Sequence, residues 1–342
     1  MHAKRILWLA ALLVATSTRA QTIPPSASTS PGAPTPDTAV NLQTVTVHGE
    51  QPGPALWEVR RGDHVMWIIG TMSPLPKNAE WQWTQLEKAL GRSQELLEAP
   101  SARLKMPTSL FSRLALLPSA KLNPGGGTLE RLLTPDMYAR WRVLRKQYMQ
   151  DDDALEYMRP IIVAERLYQD ALTASALTDQ TDLEGMIEKL AHKHGTRVIG
   201  VRYELVVTHA KPATTADQDQ KQGIACLDET MQTVERDLPA LTQRANAWAT
   251  GDMKTLQSLV QQTHYDPCVV AAINGDFEHQ LNVPDLPKRI EDAWMDAMDH
   301  ALVRNRSTVA ILTMEQLMAP DGYIAKLKSR GFIIRPPAGV TQ

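Results

Sequence analysis

Apolar residues recur along the chain with the periods of strands and helices. Two runs, Ala55–Arg60 and His64–Gly70, flank the turn sequence Arg61-Gly62-Asp63 and predict a β-hairpin. The core of the second run, Val65–Ile69, is continuously apolar, which is typical of a strand buried on both faces. Val309–Leu312 has the same character near the C-terminus. We expect these two buried strands to belong to one sheet, with their C-terminal ends at the same edge.

Helical spacing followed by a short apolar run occurs three times more. In the second of these units Asp182 is a candidate N-cap and Gly195 a candidate C-terminal cap. The strands that the three units predict are Glu95–Ala99, Arg197–Val201 and Phe332–Ile334. The segments without strand patterning, which predict helices, are Leu129–Met149, Ala154–Leu172, Asp217–Leu238, Leu241–Thr250, Met253–Thr263 and Pro287–Arg304. The predicted fold class is therefore α/β, with a central mixed sheet, helices on its faces and a helical insertion.

The N-terminus has the three parts of a secretory signal peptide. Lys4 and Arg5 precede ten apolar residues, and Thr18-Arg19-Ala20 offers small residues at a cleavage site. Residues 21–50 follow, rich at first in Pro, Ser and Thr, and predict a linker. We expect cleavage after Ala20 and a periplasmic protein, with secretion beyond the periplasm as the alternative. The division that follows is a signal peptide over 1–20, a linker over 21–50 and one domain over 51–340.

Composition and charge exclude several classes of protein. The 342 residues are 43% hydrophobic and 22% charged, which is ordinary for a globular protein. The formal net charge of −2 disfavours a nucleic-acid partner. Apolar runs stay shorter than the roughly 18 residues that a membrane helix needs, so we expect no span in the mature chain.

The chain contains two cysteines, Cys226 and Cys268. An even count in an exported protein predicts a disulfide bond. Two buried free thiols are the alternative. The spacing of the pair resembles no zinc-binding motif, because neither a CxxC nor a nearby CxH sequence accompanies it.

Several segments together resemble the TraB/GumN family, which is related to the Tiki proteases. They are the opening Ala55–Val59, the strand ending in Gly70-Thr71, the loop Pro74-Leu75-Pro76, the segment Val309–Gly322 and the closing Gly331-Phe332. The resemblance covers most of residues 52–336, and the cysteine spacing also fits periplasmic members. It implies a metal-dependent hydrolase with two Gly-x-x-His motifs, each just after a strand, and a nearby Glu. Two imidazoles and a carboxylate would leave a divalent metal with an open position for water.

This chain departs from that pattern at both histidines. Ser73 follows Gly70-Thr71-Met72 where the first His is expected, and Gln316 stands at the second His position. Glu315 precedes Gln316, and Glu98 is the match to the family's Glu. Hydroxyl and amide oxygens are poor ligands for zinc-like ions compared with imidazole. We therefore expect a vestigial cleft at Ser73, Glu98, Glu315 and Gln316, with no catalytic residue, no metal and no other cofactor.

Three functional hypotheses follow. The first is a non-catalytic binding or regulatory role in the cell envelope, with an envelope protein or a polysaccharide as partner. The family's name connects it with exopolysaccharide production. The second is a surviving hydrolase that uses Glu98 or Glu315 with a relocated His such as His64. The third is a purely structural envelope component. Ser73 as a nucleophile is disfavoured because no Gly-x-Ser-x-Gly sequence surrounds it.

Overall fold

The computed structural model describes residues 53–105, 121–150, 152–206, 216–260 and 285–340. The predicted signal peptide and the whole of the predicted linker, as well as Cys268, lie outside these ranges. The described strands are β1 (Leu56–Arg61), β2 (His64–Thr71), β3 (Leu75–Pro76), β4 (Glu95–Leu97), β5 (Ser101–Lys105), β6 (Leu177–Thr178), β7 (Arg197–Ile199), β8 (Arg202–Val206), β9 (Ser307–Thr313) and β10 (Ile333–Arg335). Six of them form a mixed sheet in the order β10-β1-β2-β9-β4-β7.

The interior of this sheet is parallel. β9 pairs in parallel with β2 on one side and with β4 on the other, and β7 continues the parallel set beyond β4. β1 is antiparallel to both of its neighbours, so it joins the predicted hairpin to the edge strand β10. All four residues of the run Val309–Leu312 are fully buried, which requires cover on both faces of the sheet. The prediction that the two apolar strands belong to one sheet is confirmed.

Helices occupy most of the remaining described chain. They are α1 (Thr84–Leu90), α2 (Leu129–Leu132), α3 (Pro135–Tyr148), α4 (Pro160–Ala174), α5 (Leu183–Lys193), α6 (Ala216–Arg236), α7 (Leu238–Thr250), α8 (Met253–Val260), α9 (Leu286–Arg304), α10 (Met314–Met318) and α11 (Tyr323–Ser329). In the described ranges, no helix is both long and apolar enough to cross a membrane. The architecture is α/β with a helical insertion, as the sequence predicts.

Two hydrophobic cores result from this arrangement. The sheet core surrounds β2, β9 and β4 and includes Ile68, Leu96 and Ile311. The helical core lies among α2, α3, α4, α6 and the first half of α7, and Trp141 and Leu167 are central to it. Met72, just after β2, packs against both cores. The junction between the two cores therefore lies where β2 ends.

Two predicted helices are interrupted by proline. The segment Leu129–Met149 forms α2 and α3, because Pro135 begins a new helix after an extended residue. The segment Ala154–Leu172 begins as a 3₁₀ turn and becomes helical again at Pro160. The two-stranded pairings β3–β6 and β5–β8 were not predicted. Runs of two to five residues carry too little periodicity to identify.

A buried carboxylate organises the edge of the sheet where the parallel strands begin. Glu95 is 1% exposed and accepts hydrogen bonds from Asn305 Nδ2 at 2.7 Å, from Arg304 Nη2 at 3.2 Å and from Arg197. Asn305 Nδ2 also donates to Thr308 Oγ1 at 3.2 Å. Burial raises the pKa of Glu95, but the bonds from Asn305 and Arg197 outweigh it and hold the pKa below its usual value. The network connects β4, β7 and β9.

Replacing Glu95 with Gln should destabilise the protein by about 2–3 kcal/mol, because the Asn305 amide and two guanidinium groups lose a charged acceptor. Urea denaturation at neutral pH measures the change. Glu87→Gln is the control at the same edge. Glu87 pairs with Lys193, whose side chain is 66% exposed, so its replacement should cost less than about 1 kcal/mol.

The pH dependence of the stability difference between the wild type and Glu95→Gln tests whether the ionised Glu95 carboxylate stabilises the fold. Because the pKa of Glu95 is lowered on folding, its contribution is complete above the unfolded carboxyl pKa of about 4.3 and is lost as the pH falls through the folded value. The stability gap between the wild type and Glu95→Gln should therefore narrow in acid. A gap that stays constant down to the acid transition would contradict this account.

Candidate functional site

The residues that the sequence singles out follow the ends of three adjacent parallel strands. β2 and β9 pair with Gly70 opposite Leu312 and Thr71 opposite Thr313. Ser73 comes two residues after β2, and Gln316 comes three residues after β9. Glu98 directly follows β4, on the other side of β9. These residues share the C-terminal edge of the parallel strands, where ligand sites lie in open α/β sheets.

Close contacts fix the backbone where β2 ends. The carbonyl oxygen of Gly70 accepts a hydrogen bond from Trp248 Nε1 of α7 at 2.8 Å. A Cβ atom on Gly70 would overlap the sulfur of Met314 in α10, so glycine permits this helix to pack on the strand end. The chain then reaches the exposed Ser73, which precedes a cis peptide bond to Pro74. Ser73 therefore offers a solvent-facing hydroxyl on an anchored loop.

Gln316 has a structural role at the position of the second expected His. The side chain of Thr313 accepts from the Gln316 backbone N–H, and Gln316 Oε1 accepts from the Thr313 backbone N–H, each at 3.1 Å. This reciprocal pair is a capping box for α10. The sequence Thr313-Met-Glu-Gln316 carries the signature of such a box, which our sequence interpretation did not use. The Gln316 amide oxygen is thus engaged within its own helix turn.

Both the side chain and the backbone carbonyl of Glu98 accept hydrogen bonds. Its carboxylate accepts from Arg202 Nη2 at 2.9 Å and is 16% exposed. Its backbone carbonyl accepts from Trp294 Nε1 at 3.2 Å. Burial raises the pKa of Glu184 in the first turn of α5, and the negative charges of Glu188 and Glu98 raise it further. This end of the edge is therefore acidic, with the Arg202 guanidinium neutralising Glu98.

A half-buried arginine on α7 is the residue that sequence reasoning missed. Arg244 lies one helical turn before Trp248, and its charge interacts with Tyr168 and Glu315. Burial lowers the pKa of Arg244, and the two acidic groups oppose that effect. Glu315 itself is exposed in the first turn of α10. The signal was present in the sequence, because Arg244 falls on the apolar stripe of its helix.

The described histidines lie at the opposite edge of the sheet. His64 begins β2, and its Nδ1 lies 2.6 Å from the carbonyl oxygen of Asn305. The seven residue steps of β2 place it about 23 Å from Thr71, at about 3.3 Å per step. His192 and His194 end α5 beside the start of β7, and His300 lies one turn before the end of α9. The other five histidines, His2, His48, His209, His264 and His279, are outside the described residues.

A match to a protein-family model over nearly all of the described chain identifies the family to which the protein belongs. The model of the TraB/PrgY/gumN family matches residues 55–336. The chain belongs to the TraB/PrgY/gumN family. Neither a curated protein nor a solved structure matches it. Membership accounts for the α/β architecture and agrees with the resemblance that the two ends of the chain carry.

The residues at the candidate site do not fit the divalent metal that the resemblance implies. Gln316 is occupied by its capping box, Glu98 is paired with Arg202, and Ser73 offers a neutral hydroxyl. The positive charge of Arg244 is close enough to interact with Glu315. Across the five described ranges, no three residues of the types His, Cys, Asp and Glu are grouped so that they could hold a metal ion. This donor set suits hydrogen bonding better than metal coordination.

Because of the capping box, the Gln316 side chain contributes to the stability of the fold. Gln316→Leu should destabilise the protein by about 0.5–2 kcal/mol, since the Thr313 N–H loses its acceptor at the start of a short helix. Gln316→Glu should restore most of the loss, because Glu serves equally at this position of a capping box. Chemical denaturation of the three proteins measures both changes. Equal losses in the Leu and Glu variants would contradict the capping role.

Proposed function

We propose that this TraB/PrgY/gumN protein is an exported, non-catalytic binding or regulatory component of the cell envelope. The observation that carries the proposal is the capping box at Gln316, where the family resemblance calls for a metal-binding His. A side chain whose amide oxygen already accepts from the Thr313 N–H gives no ligand to a metal. The C-terminal edge of the sheet would then recognise a ligand or partner without cleaving it.

The electrostatics of the edge support a binding role. Arg202 and Arg244 contribute two positive charges beside Glu98 and Glu315. A divalent cation placed among these groups would be repelled by both guanidinium groups. Hydrogen-bonding groups such as the exposed Ser73 hydroxyl suit the recognition of polar ligands.

The hydrolase remains the second candidate, and the positions of the histidines restrict it. His64 cannot serve this edge, because it lies at the far end of β2 against Asn305. A relocated ligand would have to come from the parts of the chain that are not described, which include His209, His264 and His279. The hydrolase would therefore need a catalytic His from one of those segments.

Export is the part of the proposal that rests on the N-terminus. The cationic residues, the apolar run and the small residues before Gln21 support cleavage after Ala20 and a periplasmic or secreted domain over 51–340. The partner would be an envelope protein or a polysaccharide. The setting that the family name suggests is exopolysaccharide production.

Protein purified from the periplasm tests the loss of the metal site. We expect less than stoichiometric zinc and manganese by elemental analysis, and no change of the melting temperature with chelators. Chelator-sensitive peptide cleavage that Glu98→Ala abolishes would establish the hydrolase instead.

Restoring both expected ligands tests whether the edge is a decayed metal site. The double variant Ser73→His with Gln316→His should bind Zn²⁺ or Mn²⁺, whereas neither single variant should, because one imidazole with Glu98 leaves too few strong ligands. Isothermal titration with each metal measures the difference. Each single variant controls for surface histidine binding. Binding by a single variant equal to that of the double variant would contradict a shared site.

We further propose that Cys226 and Cys268 form a disulfide bond. Cys226 is buried in α6, at 4% exposure. The bond would close a loop of about 42 residues and stabilise the protein by roughly 4 kcal/mol in the chain-entropy model. Thiol labelling of the unfolded, unreduced protein should detect no free cysteine, and the double variant Cys226→Ser with Cys268→Ser should lower the melting temperature. Two labelled thiols per chain would refute the pairing.

A further inference from the structure

A mostly apolar cavity of about 200 Å³ lies between the antiparallel side of the sheet and the helices α8, α10 and α11. Among the described residues, eleven line it, and nine of them are apolar. The other two are Gln257 and Lys328. Because a dry cavity of about 150 Å³ holds a benzene molecule, this one has room for roughly eight carbon atoms.

The floor of this cavity is buried, whereas its walls are partly open to water. Trp57 of β1, Leu317 of α10 and Ile334 of β10 form the floor, and each is at most 8% exposed. The walls contain half-buried apolar side chains, among them Ile324 of α11 and Val340. Apolar surface that stays in contact with water favours a ligand that covers it. The cavity therefore suits a ligand with an apolar body.

The segment after β10 forms one wall and is anchored at two points. The Val340 N–H donates to the carbonyl of Pro337 at 3.3 Å, which closes a turn. Gly339 packs on the start of α8, where a Cβ atom would lie 3.4 Å from the backbone nitrogen of Lys254. Because this wall is held in place before a ligand arrives, binding does not have to order it.

Lys328 is the one charged side chain among the described residues that line the cavity. It is exposed, so its aliphatic stem borders the apolar walls and its ammonium group lies at the opening. Within the described ranges no carboxylate is paired with it, whereas Lys326, two residues earlier on α11, bonds to Glu291. A single positive charge at the mouth of an apolar cavity is complementary to an amphipathic anion.

We propose that this cavity binds a small amphipathic carboxylate, with an apolar chain or ring of about eight carbon atoms. The apolar part covers Trp57, Leu317 and Ile334, and the carboxylate remains at the opening beside the Lys328 ammonium group. Burial of the apolar part supplies most of the affinity, because the ion pair stays in contact with water. The described lining residues include none of the four residues of the candidate site, so the inference goes beyond the proposed function.

Calorimetric titration of the full mature chain with sodium octanoate, and separately with sodium 3-phenylpropanoate, tests the site. Binding of octanoate alone identifies a linear chain, and binding of phenylpropanoate alone identifies an aromatic ring. Binding of both supports a site that accepts either shape. Absence of binding by both acids overturns the proposal.

Two comparison ligands separate the contributions of the apolar part and the carboxylate. Sodium acetate has the charge without the chain, and it should not bind at concentrations that saturate the longer acid. The matching alcohol, 1-octanol or 3-phenylpropanol, has the apolar part without the charge. It should bind about two- to fivefold more weakly than the acid, the loss expected for one solvent-exposed ion pair. Acetate or the alcohol binding as tightly as the acid would contradict an amphipathic carboxylate.

Lys328→Gln should weaken binding of the acid about two- to fivefold and leave binding of the alcohol unchanged. Lys88→Gln is the matched control, because Lys88 is also exposed in the last turn of a seven-residue helix and does not line the cavity. This variant should bind the acid as the wild type does. Equal weakening in both variants would show non-specific charge attraction and overturn the assignment.

Ala325→Leu tests the position of the apolar part independently of charge. Ala325 lines the cavity and is half-buried on α11, so a larger side chain fills space that the ligand needs. Binding of the acid and of the alcohol should both weaken at least about tenfold. Leucine favours the helix, so the melting temperature without ligand should not fall. Undiminished binding by a variant that melts as the wild type does would place the ligand elsewhere and overturn the proposal.

Discussion

Parallel pairing of β2 with β9 is the constraint on which the rest of the structure depends. The two strands come from opposite ends of the described chain and lie side by side in register, with Gly70 opposite Leu312. Every residue between them along the chain is therefore inserted between two sheet neighbours. The pairing also determines where the candidate site lies, because it brings the loops after both strands to one edge of the sheet. The Trp248 indole, bonded to Gly70, then attaches the helical insertion to that edge.

The two edges of the parallel sheet have different physical characters. Where the strands begin, Glu95 is surrounded by Asn305 and two arginines, and the polar groups satisfy each other. Such a closed network stabilises the fold and has no capacity left for a ligand. Where the strands end, Ser73 and Glu315 are exposed, and the half-buried Arg244 interacts with Glu315. The described histidines belong to the first edge, so none of them lies beside Ser73 or Gln316, where the family resemblance leads one to expect a histidine.

The sequence predicts the sheet better than the site. Continuous apolar runs identified β2 and β9, and Asp182 caps α5 as expected, through a bond to the N–H of Gly185. Helices were predicted too long where Pro135 and Pro160 begin new ones. The site was harder because its residues act through tertiary contacts. Gln316 has a local role that its capping signature reveals, whereas the interaction of Arg244 with Glu315 joins residues about 70 positions apart in the chain, which no local pattern shows.

Nuclear magnetic resonance with Mn²⁺ tests most directly whether this edge holds a divalent metal. The indole N–H groups of Trp248 and Trp294 report on the edge, through their bonds to the carbonyls of Gly70 and Glu98. Trp141 bonds to Glu156 in the helical insertion and serves as the reference. Because a bound paramagnetic ion broadens nearby signals, the account predicts that all three indole signals respond equally weakly to Mn²⁺. Selective loss of the Trp248 and Trp294 signals at substoichiometric Mn²⁺ would contradict it.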